Sequence, residues 1–272
     1  MYNLSSDAHQ DSLPGCVRWM VLTEIPDEQL RCVLEGVARE ILVEAEVREP
    51  PVDCLLLADR LGLVVARDQP VANGALQPRA RFVKLARGVA PAAETIFLAE
   101  EPRRERRHWA VAHEIGESRA FRVFAEFDVD PSEAPPAARE AVANALAGAL
   151  LLPREWFVRD GARVDWDLFE LKAMYATASH ELIARRMLEA PPAIIVTLAD
   201  QGRCVWRRSS SSHRPPPLTP PERDAWTTAH QQGRPVQCER AELPEGIVDV
   251  RAWPIHEEGW KREIIRTELA QW

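Results

Sequence analysis

His113, Glu114 and Glu117 are the residues whose types and spacing promise chemistry. His113 and Glu117 stand one helical turn apart, so on a helix their side chains leave nearly the same face and can share one small cation. Glu114 projects beside that axis, where a carboxylate can hold a water next to the ion. In the pattern H-E-x-x-H two histidines bind zinc and the glutamate acts as general base. Here Glu117 takes the place of the second histidine.

A tetrahedral catalytic site uses three protein ligands and leaves a fourth position for water. Glu140, early on the next long helical stretch, is the best candidate for the third ligand, which makes the set one imidazole and two carboxylates. His108 falls on the far side of the helix from His113 and is a poor ligand. Two carboxylates neutralise a divalent ion, make its water less acidic and favour harder metals such as manganese over zinc. The expected cofactor is Zn2+, with Mn2+ or another divalent ion as alternative, or no metal if Glu117 is a relic.

The elements that must position these residues follow from periodicity. A helix is predicted over about 102–121. Its start, Arg103-Arg104-Glu105-Arg106-Arg107, sets cations where the macrodipole disfavours them, which suits a solvated face, with substrate or partner contact as the alternative. A second helix is predicted over 136–152, with Ala143, Leu146, Ala147 and Leu150 as its packing face. Its alanines permit close approach to the first, and Glu140 and Asn144 lie one turn apart on it. Upstream, the stripe Leu30, Val33, Leu34, Val37, Ile41 and Leu42 predicts a helix from Asp27. Asp53 caps a short helix that Gly62 ends. Segments 63–66, 81–85 and 95–98 predict a small sheet, with turns around Asn73-Gly74 and 88–91.

Two helical pieces are expected over 165–187, as a plain hairpin in preference to a DNA-reading helix-turn-helix, with His180 on the helix surface. Beyond Pro191-Pro192 the pattern turns to strands. Segments 193–198 and 204–207 flank the turn Asp200-Gln201-Gly202, and a serine- and proline-rich loop spans 209–217. Thr219-Pro220-Pro221-Glu222 has the form of a capping box, and its helix runs to near Gly233. Strands at 236–238, 248–253 and 263–266 follow. The reading is an α+β chain: a tail over 1–26, a mainly helical domain with a small sheet over 27–190, and a β-rich subdomain over 191–272.

At 46% hydrophobic residues the 272-residue chain can bury a full core, and its net charge of −8 lacks the footprint of a dedicated nucleic-acid binder. The five cysteines are scattered without C-x-x-C, so no disulfide framework is indicated. No signal pattern and no membrane-length apolar run are found, so the expected location is cytoplasmic, without membrane contact.

Three blocks, in order, resemble the ImmA/IrrE family of metallopeptidases. They are Pro51-Val52-Asp53 with the stretch from Leu57 to Leu63; the stretch from Arg107 to Gly116; and the stretch from Glu140 to Ala147 with Leu151-Leu152-Pro153. The resemblance covers roughly residues 50–190 and implies a zincin-like core. It makes Glu114 the catalytic glutamate and Glu140 the third metal ligand, and sets a helix-turn-helix-like segment at about 165–188. It further implies a metal-dependent regulatory endopeptidase whose protein substrate is a helix-turn-helix repressor. The alternative is a catalytically inactive relative that binds or senses a regulator.

Overall fold

The computed structural model describes residues 26–67, 80–87, 90–211 and 214–270, with the backbone alone at 84–87 and 90–93. The expected tail, the Asn73-Gly74 turn and part of the 88–91 turn lie outside the described residues, as do two residues of the serine-rich loop.

Helix α1 (Asp27–Glu44) buries Leu34, Val37, Ala38, Ile41 and Leu42, the stripe its sequence predicts, and carries Asp27 and Glu28 in its first turn. Helix α2 (Cys54–Arg60) starts at Asp53, whose side chain accepts from the Leu55 and Leu56 backbone N–H groups at 3.0 and 3.2 Å. Gly62, at φ 75°, turns the chain out of it. Three strands follow: β1 (Val64–Arg67), β2 (Ala80–Arg87) and β3 (Ala90–Leu98). β3 is central, parallel to β1 and antiparallel to β2.

Two helices form the centre of this half: α3 (Arg104–Ala125) and α4 (Pro136–Leu151). They approach closely at Gly116, where a Cβ would stand 2.6 Å from the Ala143 carbonyl oxygen. Only glycine permits that approach. The basic start of α3 is compensated by acids. Arg103 pairs with Glu257 at 2.7 Å, Arg106 lies 3.8 Å from Glu101, and Arg107 donates to the Glu101 carbonyl.

Helix α5 (Arg154–Arg163) was not anticipated from the sequence. Pro153 ends α4 and serves at once as the N-cap position of α5. Phe157 packs edge-on against Trp166 and Tyr175, with centroids 6.0 and 5.6 Å apart. The paired short helices are α6 (Leu168–Met174), capped by Asp167, and α7 (His180–Met187), capped by Ser179.

The remaining strands are β4 (Ile194–Asp200), β5 (Arg203–Ser209), β6 (Val236–Gln237), β7 (Ile247–Glu257) and β8 (Trp260–Leu269). They form an antiparallel sheet in the order β5-β4-β8-β7-β6. Helix α8 (Pro220–Gln232) precedes β6 and begins with the expected capping box between Thr219 and Glu222. Strand alternation gives the sheet two buried faces. Ile194, Val196, Leu198, Trp253 and Ile264 join the core of the helical half. Val250, Ala252 and Ile265 meet Ala225 and Ala229 of α8 in a second, smaller core. No helix among the described residues is long and apolar enough to cross a membrane.

Candidate metal centre on helices α3 and α4

Helical spacing brings His113, Glu114 and Glu117 together on α3, with one ligand atom from each lying within 4.8 Å of the others. The three differ in environment. Glu114 is buried, His113 half-buried and Glu117 exposed. Glu114 turns toward the sheet, where it takes a hydrogen bond from the Phe82 backbone of β2. Its Oε2 is buried without a hydrogen-bond partner among the described residues. Burial first, then the charge of Glu117, pushes the Glu114 carboxyl up to about 7, against the opposing pull of His113 and the Phe82 N–H.

α4 supplies the rest. Asn144 bridges the two helices: its Oδ1 lies 3.2 Å from His113 Nδ1, and its Nδ2 donates to Glu140 Oε1 at 2.9 Å. The Glu140 contact orients the amide, because a carboxylate only accepts. Asn144 Oδ1 therefore faces the imidazole and holds its proton on Nδ1. His113 Nε2, which carries the lone pair in the neutral ring, lies 3.6 Å from Glu140 Oε2. That separation is long for a hydrogen bond. It is close to the roughly 3.4 Å between neighbouring ligand atoms around a tetrahedral zinc. A ring nitrogen and a carboxylate at ligand spacing, with an orphaned carboxylate oxygen on the residue that follows His113, fit a divalent cation. Glu140 is not part of the three-residue cluster on α3 and meets it at His113.

The family model for the IrrE N-terminal-like domain, Peptidase_M78, matches residues 58–188. Residues 58–188, just under half of the chain, are similar to that family. The domain is metallopeptidase-like, and its match begins within α2 and ends just past α7. No curated protein matches the chain. Among solved structures, a Mycobacterium tuberculosis transcriptional regulator is similar in fold, with a TM-score of 0.59 at 19% identity. The alignment covers 90% of this chain and 81% of that one.

Within the IrrE N-terminal-like domain, His108 serves the fold: its Nδ1 accepts from the Cys54 backbone at 3.2 Å, and burial lowers its pKa. His180 is half-buried against Phe169 instead of lying on the surface, and burial lowers its pKa to about 4. Two contributors escaped the sequence reading. Asn144 was visible as a polar residue one turn from Glu140 and within the Glu140–Ala147 block, but its bridge to His113 was not. The Phe82 backbone N–H leaves no sequence signal, since any residue there offers one.

Proposed function

We propose that this chain is a metal-dependent endopeptidase of the ImmA/IrrE type that cleaves a helix-turn-helix transcriptional regulator. The observation that carries the reading is Glu114, a buried carboxylate with an unpartnered oxygen, grouped within 4.8 Å with ligand atoms of His113 and Glu117. His113, Glu117 and Glu140 would hold the cation, zinc or a harder divalent ion such as manganese. When bound, that ion supplies Lewis-acid polarisation of the scissile carbonyl and acidifies a water.

Glu114 takes the proton from the attacking water and returns it to the leaving amine. A carboxyl raised to about 7 is suited to both steps near neutral pH. Asn144 keeps His113 in the Nδ1–H tautomer and ties Glu140 to the same frame. The likeness to a transcriptional regulator supports a place in transcription control, though it extends to fold alone. Direct DNA contact by α6–α7 is not favoured, because Arg185 pairs with Glu181, and Arg186 pairs with Glu35 and Glu189.

Glu117 favours a second reading, in which the domain binds or senses a regulator without cutting it. An exposed carboxylate where the pattern has imidazole weakens the pull on zinc. Cleavage of purified helix-turn-helix repressors by the metal-loaded chain separates the two. Glu114→Gln should keep the fold and bound metal and lower cleavage by at least about a hundredfold, the scale of general acid–base catalysis. Equal rates in parent and variant would remove Glu114 as the base. No cleavage by either, with metal bound, would favour the binding module.

A further inference from the structure

A second cluster of metal-ligating side chains lies away from α3, on the face of the C-terminal sheet covered by α8. Along α8, Glu222, Trp226 and His230 recur every fourth residue and so share the face turned to the sheet. On the strands, register and alternation set His256 of β7 and Glu263 of β8 on that same face. His230 Nδ1 lies 2.9 Å and His256 Nε2 2.8 Å from one atom, Glu263 Oε1. Ligand atoms of the three lie within 4.8 Å of one another.

Glu263 is fully buried, while the His230 and His256 side chains are 32% and 23% exposed. Trp226 Nε1 donates to the other carboxylate oxygen at 3.1 Å and so fixes the roll of the carboxylate. The cluster therefore has an anionic floor, two imidazole walls and an opening to solvent. Lys261, the neighbouring cation on β8, donates to the His230 carbonyl at 3.2 Å.

We propose that His230, His256 and Glu263 form a second site, for a divalent transition-metal cation of the zinc type. Two imidazoles and one carboxylate are a common set for an open zinc site, with a fourth position left for water. The Trp226 bond plays the part of the outer hydrogen bonds that orient metal-bound carboxylates. Around zinc, neighbouring ligand atoms stand about 3.4 Å apart, so the two imidazoles must move out by about half an ångström. Both sit where that is easy, His230 in the last turn of α8 and His256 next to the β7–β8 turn. The ion would clamp α8 onto both strands.

The rival arrangement is a plain hydrogen-bonded triad, and side-chain geometry separates the two. Asn places an amide N–H near the position of an imidazole Nδ1, and Gln does the same for Nε2. His230→Asn and His256→Gln thus preserve the bonds to Glu263 but remove the lone pairs a metal needs. The experiment uses the full chain in a His113→Ala background, so that failure of the α3–α4 site leaves it unaffected. Chelator-stripped protein is titrated with Co2+, followed by its visible absorption, and with Zn2+ by calorimetry.

One ion per chain is expected in the His113→Ala protein, with intense tetrahedral-type cobalt bands. Adding either His230→Asn or His256→Gln should weaken binding at least about tenfold, a loss of about 1.4 kcal/mol. Zinc should raise the melting temperature of the His113→Ala protein and leave that of the double variants unchanged. No binding by the His113→Ala chain, or equal binding after the Asn and Gln substitutions, would overturn the proposal.

Discussion

On α3 and α4 one imidazole meets carboxylates of which two, Glu117 and Glu140, are exposed. Between α8 and the strands, two imidazoles meet a carboxylate with no exposure at all. The first cluster draws three members from adjacent turns of one helix, so local spacing assembles it. The second draws one member from each of three elements, so only the tertiary fold assembles it. The pair of imidazoles that the α3 motif lacks is thus found between α8 and the sheet. A short motif reveals chemistry where one element carries it, and is silent where packing brings the parts together.

The largest effect that would break this comparison belongs to Gly116. In Gly116→Ala the new methyl meets the backbone of Ala143, which cannot rotate away. α3 and α4 must separate, at a cost of about 3 kcal/mol. His113 then loses its spacing to Asn144 and Glu140. Chemical denaturation should show the loss, and cobalt titration should show one bound ion fewer per chain while the sheet cluster keeps its own. Loss of both ions would mean that the two clusters are not independent.

Glu222 tests the sheet side at a smaller scale. It is fully buried. Burial pushes its carboxyl up, but bonds from Thr267, the Thr219 backbone and Arg207 prevail and hold it below its ordinary value. A depressed carboxyl stabilises the fold above its unfolded pKa, about 4.3, and that contribution is lost as pH falls through the folded value. Glu222→Gln should cost about 2 kcal/mol at pH 7, and the gap to the parent should narrow below about pH 4. A gap that stays constant from pH 7 to pH 3 would show that its charge contributes nothing. Urea midpoints across that range provide the measurement.

The smallest effect sharpens the contrast between donor sets. Glu117→His adds an imidazole one turn from His113 and removes one negative charge. Zinc should bind the α3–α4 site about tenfold more tightly, about 1.4 kcal/mol, with a larger gain for zinc than for manganese. Competition titration in a His256→Gln background isolates that site. An unchanged zinc affinity would mean that the exposed face around Glu117 does not turn toward the ion.

Much of the fold was legible because its signals are local. The Leu30–Leu42 stripe, the Asp53 and Thr219–Glu222 caps and the Gly202 turn each follow from residues a few positions apart. Helix α5 was missed because its burial rests on Phe157 meeting Trp166 and Tyr175, and on Gly161 making room for the Trp166 ring. Those partners are set by the chain's return after the helix and not by periodicity within it. The acids that compensate the basic start of α3 were equally hidden, since Glu257 is 154 residues from Arg103. At the candidate site, residue types were legible and tautomer was not, because it depends on which way Asn144 turns.

The position of β8 bears on how the molecule is made. It is the latest of the five C-terminal strands in chain order, yet it lies in the middle of their sheet, between β4 and β7. During synthesis the β4–β5 hairpin emerges first and β7 follows, and neither has a partner on its inner edge until β8 leaves the ribosome. Through that interval the nascent chain carries two open, apolar strand edges, which are sites for mispairing between neighbouring chains. A stop codon early in β8 would therefore remove the seam of the sheet, and expose a ribosome-released product to aggregation and proteolysis.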